Sequence, residues 1–311
     1  MVYRHTIDAT SYVFGNLRDL LAKATPPRSG DRLAGIAADS AEQMIAARIA
    51  LADVPLKQFL HETVIPYEDD EITRLIIDTH DASAFAAISS LTVGSFRDWL
   101  LSDAASGQAL KKLSRGVTAE MAAAVSKLMR NQDLILVAKK CEVTSAFRNT
   151  IGLRGRMSVR LQPNHPFDDA KGITASILDG IVLGSGDACI GINPASDDPA
   201  VIGGLLRLLD DIIARLQIPA QACVLAHVTT TLGLIDQGLP VDLVFQSIAG
   251  TQAANRSFGV DLATLRQAHQ AGLSLRRGTV GNNVMYFETG SNNLFAVEEI
   301  FRADEADDGV D

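Results

Sequence analysis

Cysteine and long apolar runs are scarce in this sequence. The three cysteines, Cys141, Cys189 and Cys223, stand alone, and none forms a C-x-x-C pair. Disulfide frameworks and cysteine-based zinc sites need cysteines at characteristic spacings, so neither is expected, and the usage fits a reducing cytoplasm. No run approaches 18 consecutive apolar residues, and the N-terminus lacks an apolar signal-peptide core. We therefore expect a cytoplasmic protein without a membrane span.

Basic residues are also fewer than acidic residues. The 311 residues include 28 Lys and Arg against 37 Asp and Glu, giving a formal net charge of −9. Seven of the acids lie between residues 298 and 311, so much of the excess is local to an acidic tail. A nucleic-acid partner normally meets a basic face, and none is indicated here. Apolar residues make up 47% of the chain, enough for a sizeable core.

Helical spacing dominates the first part of the chain. Ser40-Ala41-Glu42-Gln43 resembles a capping box, and Thr118 is placed to cap a helix with apolar residues at Met121 and Val125. Ala, Leu, Arg and Asp are frequent, while β-branched runs are short. We predict a helical N-terminal region over residues 1–154.

A different pattern begins at Gly155, where short β-rich runs alternate with longer segments of helical character. The predicted strands are Met157–Leu161, Ala188–Ile192, Cys223–Val228, Leu243–Ile248 and Val284–Phe287. Helices are predicted between them, including Pro199–Leu216 and Leu262–Leu275. This alternation is typical of βα units and a parallel sheet, and nearly continuous apolar strands fit burial on both faces.

Two architectures fit this rhythm, a (β/α)8 barrel of the TIM type and a doubly wound sheet. Nearly every predicted strand ends in polar residues, as in Asn193-Pro194 after the second strand and Glu288-Thr289 after the fifth. In a barrel enzyme all these ends meet at one site, whereas a doubly wound sheet needs them only at the switch point. We therefore favour the barrel, of which residues 155–290 supply about five βα units.

The strand ends suggest a site for a small polar molecule. Arg160 and Gln162 are two residues apart on a strand and so share a face. A buried arginine needs a carboxylate partner or a polar ligand, and Glu288 is the one acid at the end of another predicted strand. A structural ion pair between Arg160 and Glu288 is the alternative to a ligand pocket.

Other chemical signals are weaker. His227 has no second histidine or cysteine at ligand spacing, which favours a hydrogen-bonded histidine over a metal ligand, and no metal site is predicted. Asn193-Pro194 is also a common way to start a turn. Lys139-Lys140 falls outside the predicted strands and is interpreted as an exposed helical pair.

Several longer stretches, taken in order, resemble the large subunit of ethanolamine ammonia-lyase. They are Arg28-Ser29-Gly30-Asp31, Ala138-Lys139-Lys140, Arg160-Leu161-Gln162-Pro163-Asn164, Gly186-Asp187-Ala188, Ile190-Gly191-Ile192-Asn193-Pro194, Cys223-Val224-Leu225-Ala226-His227-Val228-Thr229-Thr230, Phe245-Gln246-Ser247-Ile248 and Tyr286-Phe287-Glu288-Thr289-Gly290. The resemblance implies a helical region followed by a (β/α)8 barrel, with adenosylcobalamin held over the barrel mouth beside a separate small subunit. It further implies a homo- or hetero-oligomer that deaminates ethanolamine to acetaldehyde and ammonia by radical chemistry, in the cytoplasm or within a bacterial microcompartment.

The resemblance also assigns roles to single residues. Glu288 is similar to the carboxylate that contacts the ammonium and the hydroxyl of the substrate. Arg160 and Asn193 resemble the hydroxyl partners, and Gln162 resembles an ammonium partner. Phe258 is expected to line the substrate pocket. Pro194 and Gln246 match positions that contact the cobalamin.

The sequence departs from this pattern after Gly290. Residues 291–311 form an acidic segment that does not resemble the family, and a second substrate carboxylate has no counterpart. A (β/α)8 barrel needs eight strands and typically about 250 residues, whereas about five βα units are predicted here. The wall of the active site would then be incomplete, so we expect this chain alone not to turn over ethanolamine. Two interpretations stay open, an ethanolamine ammonia-lyase large subunit and a non-catalytic remnant or interaction protein that keeps the scaffold.

Overall fold

A computed structural model describes residues 1–289 of the chain. The predicted acidic tail, residues 291–311, lies outside the described residues. The chain divides into two compact units, Met1–Cys141 and a second that begins at Glu142. The sequence pattern, by comparison, changes near residue 155.

The first unit opens with a hairpin that the helical prediction for residues 1–154 omits. Strands β1 (Tyr3–Ile7) and β2 (Thr10–Phe14) pair antiparallel, with Tyr3 opposite Phe14. Asp8 and Ala9 form the two-residue turn with φ of 45° and 67°. Two successive positive φ angles suit a hairpin turn, but Asn-Gly is the usual signal for it, and that signal is missing here.

Nine helices follow within Met1–Cys141. They are α1 (Leu17–Lys23), α2 (Ser29–Leu33), α3 (Ala41–Ala52), α4 (Glu71–Asp78), α5 (Ala82–Phe85), α6 (Val93–Leu101), α7 (Gly107–Leu113), α8 (Ala119–Lys127) and α9 (Asn131–Lys140), with 3-10 turns at Leu56–Leu60, Tyr67–Asp69 and Ser114–Gly116. The predicted N-caps are confirmed, since the side chains of Ser40 and Thr118 accept the backbone N–H of Gln43 and Met121. The predicted capping box at Ser40 does not form, because Gln43 Oε1 accepts from the N–H of Asp39 instead of that of Ser40. The core of the unit includes the fully buried Leu17, Leu51 and Phe59.

The second unit carries the βα succession. A small antiparallel pair, β3 (Ser145–Ala146) and β4 (Thr150–Ile151), comes first. The succession is then β5 (Arg160–Leu161), α10 (Ala170–Val182), β6 (Cys189–Ile192), α11 (Pro199–Leu216), β7 (Ala222–Val224), α12 (Val228–Asp236), β8 (Val244–Ile248), α13 (Gln252–Ser257), α14 (Leu262–Ser274) and β9 (Met285–Thr289).

Strand order in this unit follows the sequence. Strands β5, β6 and β7 form one parallel sheet in that order, and β8 pairs in parallel with β9. The two sheets meet where the N–H of Leu243 donates to the carbonyl of Ala222 at 3.1 Å. The mixed α/β class is confirmed. Among residues 1–289 the strands do not close into a barrel, so the (β/α)8 barrel stays a prediction.

Two predicted strands are too long. Of the predicted strand Met157–Leu161, only Arg160–Leu161 forms β5. The run Cys223–Val228 was expected to be extended, but β7 ends at Val224 and α12 begins at Val228. His227 is the N-cap of that helix, and its ring accepts the N–H of Thr229. A side chain that caps a helix ends the preceding extended segment. No helix within residues 1–289 is long and apolar enough to span a bilayer.

Candidate active site at the strand ends

Arg160 reaches across the interior of the second unit. Strand β5 places it opposite Cys189 of β6, and its Nη1 donates a hydrogen bond to the hydroxyl oxygen of Tyr286 on β9. Its Cζ lies 4.9 Å from the centroid of the Tyr286 ring, a cation–π contact. The side chain is therefore fixed at its tip by a residue from the last strand of the succession.

Gly191 gives the guanidinium room. It lies two residues beyond Cys189 on β6, and therefore on the face that Arg160 occupies. A Cβ built on Gly191 would come within 2.5 Å of Nη2, 2.7 Å of Cζ and 2.8 Å of Nε of Arg160. Any larger residue at 191 would have to displace the guanidinium.

Two donors of this guanidinium are unused. Nε and Nη2 of Arg160 are buried and have no hydrogen-bond partner among the residues that the structure describes. A buried donor without an acceptor costs about 1–3 kcal/mol, and more when the group is charged. Such a group indicates a polar ligand, because native proteins rarely leave buried donors unpaired.

Glu288 lies on the same face of β9 as Tyr286, because the two are separated by one residue. Its side chain is exposed, and within residues 1–289 it forms no ion pair with Arg160. The alternative interpretation of a structural Arg160–Glu288 pair is therefore not what the structure shows. Both groups remain available to a ligand.

Two residues of the loop after β5 accept hydrogen bonds from the loop after β6, one on each side of Pro194. The N–H of Asn193 donates to Asn164 Oδ1 at 2.8 Å. The N–H of Ala195 donates to the two carboxylate oxygens of Asp168 at 3.1 and 2.9 Å. Pro194, half-buried, lies between these two anchored amides. The side chain of Asn193 is exposed, as is that of Gln162 at the end of β5.

His227 joins the next two loops. Its Nδ1 accepts from the N–H of Thr229 and lies 2.8 Å from the Thr229 hydroxyl, and its Nε2 lies 2.8 Å from the carbonyl of Phe258. With Nδ1 accepting, Nε2 carries the proton and donates to that carbonyl. Both nitrogens are thus bonded, as the interpretation of a hydrogen-bonded histidine predicts. Among the described residues no group of three or more His, Cys, Asp or Glu side chains could hold a metal ion.

Phe258 and Gln246 occupy different environments. Phe258 follows α13 and is 47% exposed, as a pocket-lining residue would be before a ligand binds. Gln246 is buried on β8, its Oε1 accepts from the N–H of Val228 at 3.0 Å, and its Nε2 donates to the carbonyl of Ser247. The Gln246 side chain therefore supports the start of α12, and its predicted cofactor contact is not tested by this arrangement.

Sequence reasoning missed the residues that position this site. Asp197 is one of them, since its carboxylate accepts the N–H of His227 at 3.0 Å and the hydroxyl of Thr230 at 2.5 Å. Tyr286 could have been found from alternation, as it precedes Glu288 by two residues on one strand. Asn164 and Asp168 carry no such signal, because their partners lie 29 and 27 residues away.

The buried thiols beside Arg160 are not activated. Burial raises the pKa of Cys189 to about 12, although the nearby Arg160 charge acts in the opposite direction. Burial also raises the pKa of Cys223. Nucleophilic cysteines need a lowered pKa, so neither thiol fits covalent catalysis.

The fold and these groups define a class of protein. It is an α/β protein with parallel strands. Within residues 1–289 the carboxyl ends of these strands carry an arginine with two unpaired donors, exposed amides and an exposed carboxylate. In α/β proteins this is the edge at which ligands bind. A small polar ligand with a cationic part fits the combination of donors and one carboxylate.

Comparison with known proteins identifies the family. The family model described as ethanolamine ammonia lyase large subunit (EutB) matches residues 12–306. Ethanolamine ammonia-lyase large subunits from Escherichia coli K12 and O157:H7 are each 40% identical over 305 residues. The one from Salmonella typhimurium LT2 is 40% identical over 308 residues. Each comparison covers 98% of this chain and 67% of the relative.

The chain belongs to the ethanolamine ammonia-lyase large-subunit family. The matched residues extend past Gly290 to residue 306, into the segment that the sequence analysis treats as divergent. The resemblance inferred from the strand-end stretches is thereby confirmed. The chain spans 67% of the length of the relatives it matches.

Proposed function

We propose that the chain is the catalytic subunit of a carbon–nitrogen lyase that deaminates ethanolamine to acetaldehyde and ammonia. Family membership supports the reaction class. The observation that carries the site is the half-buried Arg160, whose Nε and Nη2 are buried without a partner within residues 1–289. A ligand that supplies an acceptor there relieves an unfavourable state, so ligand binding is favoured at this position.

Charge decides how ethanolamine would lie in the site. The substrate is an ammonium with a hydroxyl two carbons away, and the ammonium avoids the Arg160 guanidinium while the hydroxyl accepts from it. Glu288 shares the interior face of β9 with Tyr286, which contacts Arg160. Glu288 would then accept from the ammonium, with Gln162 as a neutral partner and Asn193 as a second partner of the hydroxyl. Phe258 would line the pocket.

Arg160 is also placed to assist the chemistry. Removal of a hydrogen atom from the carbinol carbon makes the hydroxyl more acidic, and a fixed cationic donor stabilises negative charge on that oxygen as its proton moves away. The contacts to Tyr286 and Gly191 fix this donor before the substrate arrives, so little reorganisation is needed.

The proposed cofactor is adenosylcobalamin, and the residues fit it in part. Pro194 is half-buried at the carboxyl end of β6 between two anchored amides, a rigid apolar contact for a large flat ring. Gln246 would support the cofactor site indirectly by holding the start of α12, since both ends of its side-chain amide are hydrogen-bonded. When bound, adenosylcobalamin supplies the carbon-centred radical that begins the reaction. The chain itself would bind and orient ethanolamine and exclude water.

The proposal extends to partners and location. A small subunit would cover the strand ends together with the cofactor, in a homo- or hetero-oligomer. Enzymes of this type are expected in the cytoplasm, and a bacterial microcompartment is the narrower expectation. The relatives are named as large subunits, which supports the two-subunit assembly.

Titration calorimetry with ethanolamine tests the site. We expect the full chain to bind ethanolamine, and Glu288→Gln to weaken binding about 10-fold or more, because a hydrogen bond to a charged group contributes about 1.5–3 kcal/mol. Asp236→Asn, an exposed carboxylate at the end of α12, is the matched control and should leave affinity unchanged. Equal affinities in all three proteins would contradict the assigned role of Glu288.

Turnover separates the catalytic from the non-catalytic interpretation. The full chain is mixed with adenosylcobalamin, ethanolamine and a family small subunit, and acetaldehyde is followed over time. Sustained, cofactor-dependent acetaldehyde formation supports the lyase. Ethanolamine binding without any acetaldehyde supports a non-catalytic protein that keeps the scaffold.

A further inference from the structure

The guanidinium of Arg160 is held by two residues to which the family resemblance assigned no role. Tyr286 contacts it with both its hydroxyl and its ring, and Gly191 leaves the space in which it lies. Of its nitrogens, Nη1 is used by Tyr286, while Nε and Nη2 are buried and unpaired within the described part of the chain. An arginine held in this way keeps two donors in a fixed place.

We propose that Tyr286 and Gly191 are positioning residues, which hold Arg160 so that its Nε and Nη2 donors select a ligand that carries a hydroxyl. The part about the ligand rests on the proposed function. The part about the arginine rests on contacts within the chain alone. The two parts can therefore fail separately.

Geometry explains why both residues are needed. A guanidinium on a long side chain has many rotamers, and without a partner at its tip it would sample several of them. Tyr286 restrains the tip through a hydrogen bond and through the face of the ring, which attracts the cation. Because Gly191 has no Cβ, the side chain can lie directly against β6. A Cβ there would meet Nη2, Cζ and Nε at 2.5–2.8 Å.

The first measurement observes Arg160 directly in the full chain, with no ligand. The Nε–H signal of Arg160 is assigned by NMR as the resonance that disappears in Arg160→Lys, and its exchange with solvent is measured. We expect slow exchange in the wild type, about 10-fold faster exchange in Tyr286→Phe, and faster still in Tyr286→Leu, which also removes the ring. An unchanged rate in both Tyr286 variants would overturn the proposal.

A matched control is available in the first unit. The hydroxyl of Tyr67 donates to Asp78 Oδ1 at 2.9 Å, so Tyr67→Phe also removes a hydrogen bond between a tyrosine hydroxyl and a charged side chain, with the hydroxyl as donor. It should leave the Arg160 signal unchanged. Loss of that signal in Tyr67→Phe would show that the signal reports general destabilisation, and would contradict the assigned cause.

The second measurement tests selection by the hydroxyl. Ethanolamine and ethylamine share the ammonium and differ in the hydroxyl, so the ratio of their affinities reports the Arg160 contact. Tyr286→Phe should lower that ratio several-fold while leaving ethylamine affinity unchanged, whereas a merely structural role would weaken both ligands equally. Equal weakening would therefore contradict the ligand part of the proposal.

Gly191→Ala provides an independent variant if Tyr286 variants fail to fold. The atoms that its methyl would meet belong to the end of a flexible side chain, so the guanidinium can move while the backbone stays. We expect the same faster Nε–H exchange and the same lower affinity ratio. Gly204→Ala, where no heavy atom lies within 4 Å of the added Cβ, is the control.

The outcomes distinguish this proposal from the proposed function. If the wild type binds neither amine, the proposed function fails, and the Nε–H exchange rates still decide whether Tyr286 and Gly191 position Arg160. If ethanolamine binds and neither variant changes the exchange rate or the ratio, the proposed function stands and the positioning proposal is wrong.

Discussion

Arg160 and Tyr286 are in contact although their strands lie at opposite ends of the strand order. Strand β5 begins the succession and β9 ends it, with β6, β7 and β8 between them. Neighbouring strands are about 4.8 Å apart, so in a flat sheet the first and fifth strands would be roughly 19 Å apart. That distance exceeds the reach of the two side chains, and the strands must therefore curve around a shared interior. The contact therefore shows that these five strands do not lie in one flat sheet.

The first prediction concerns a buried carboxylate near the amino end of the strands. Asp242 is 1% exposed and accepts from Arg277 Nε at 2.7 Å, Arg148 Nη1 at 3.3 Å and the N–H of Ala222 at 2.9 Å. Asp242→Ala removes a buried carboxylate from two partly buried arginines, and breaking a buried pair costs about 3–5 kcal/mol. Urea unfolding followed by far-UV circular dichroism should show a destabilisation of this size.

An exposed ion pair of the same unit provides the comparison. Asp211 pairs with Arg215 at 2.8 Å, and both side chains are more than half exposed. Exposed pairs contribute about 0–1 kcal/mol, so Asp211→Ala should change the free energy of unfolding by no more than that. Similar losses for Asp211→Ala and Asp242→Ala would show that burial does not decide the contribution here.

Secondary structure in the second unit follows from local sequence where the signals agree. Helix α11 spans Pro199–Leu216 as predicted, because Asp198 caps it, proline suits its first turn and its apolar residues repeat with the helical period.

In the first unit the hairpin β1–β2 was missed, since its Asp8-Ala9 turn carries no glycine. A turn that forces alanine to φ of 67° is stabilised by the surrounding strands rather than by its own propensity.

The candidate site was only partly accessible from sequence. The polar residues at the strand ends and the alternating directions of strand side chains predict that Arg160, Asn193 and Glu288 lie at one edge of the sheet. These patterns can be found in the sequence because they depend on residues that are close in the chain. The Arg160–Tyr286 contact joins residues 126 apart and depends on how far the strands curve. The position of Gly191 under the guanidinium depends on the register of β5 against β6, which no local pattern encodes.

The second prediction compares two adjacent glycines in α11. A Cβ at Gly204 would meet no heavy atom within 4 Å, so Gly204→Ala should raise the free energy of unfolding by about 0.8–1 kcal/mol through helix propensity. A Cβ at Gly203 would lie 2.8 Å from Cδ2 of Leu239, which is buried. Overpacking opposes the gain, so Gly203→Ala should be about 1 kcal/mol or more less stable than Gly204→Ala.

Urea unfolding of the two variants measures this difference. Both substitutions add one methyl group to the same helix. The gain in helix propensity is therefore the same in both variants and cancels when their free energies of unfolding are compared. Equal stabilisation by both would mean that Leu239 moves aside without cost.

The third prediction concerns acid stability of the first unit. Glu62 accepts from the N–H of Leu17 at 2.6 Å, from the Tyr3 hydroxyl at 2.8 Å and from Gln58 Nε2 at 2.8 Å. Burial alone would raise the pKa of Glu62, but these hydrogen bonds outweigh it and lower the pKa below its ordinary value. Burial and the bond to Glu62 together raise the pKa of Tyr3.

The sign of the pH dependence follows from that lowered pKa. Because the folded-state pKa of Glu62 is below its unfolded value of about 4.3, its contribution is present above that value and is lost as pH falls through the folded pKa. Glu62→Gln should lower stability at neutral pH and flatten the fall in stability below about pH 4.3. The fluorescence of Trp99, the single tryptophan and a residue of this unit, reports the transition.

An exposed carboxylate in the same unit tests the assignment. Glu68→Gln should leave the acid limb of the stability profile unchanged, since its side chain is exposed. An identical acid limb for Glu62→Gln and the wild type would assign the acid sensitivity to other carboxyl groups.

The fourth prediction concerns the two bonds that hold the loop after β6. Asn164 accepts the N–H of Asn193, and Asp168 accepts the N–H of Ala195. Each bond should slow the exchange of one amide, since a neutral or charge-assisted hydrogen bond contributes about 0.5–3 kcal/mol. Asn164→Ala should therefore speed exchange at Asn193 about 2- to 10-fold and leave Ala195 little changed, while Asp168→Ala should do the reverse.

Conservative variants separate the bonds from the loop geometry. Asp168 has a φ of 51°, a conformation that asparagine tolerates well, and Asp168→Asn keeps one oxygen acceptor. It should therefore preserve much of the protection at Ala195 that Asp168→Ala loses. If both Asp168 variants speed exchange at Asn193 and Ala195 equally, the loop moves as one body and the separate roles of Asn164 and Asp168 are wrong. If the amides respond separately, Pro194 is held by two independent anchors. Loosening the Asn164 anchor should then weaken ethanolamine binding more than loosening the Asp168 anchor, because Asn193 is the residue proposed to contact the hydroxyl.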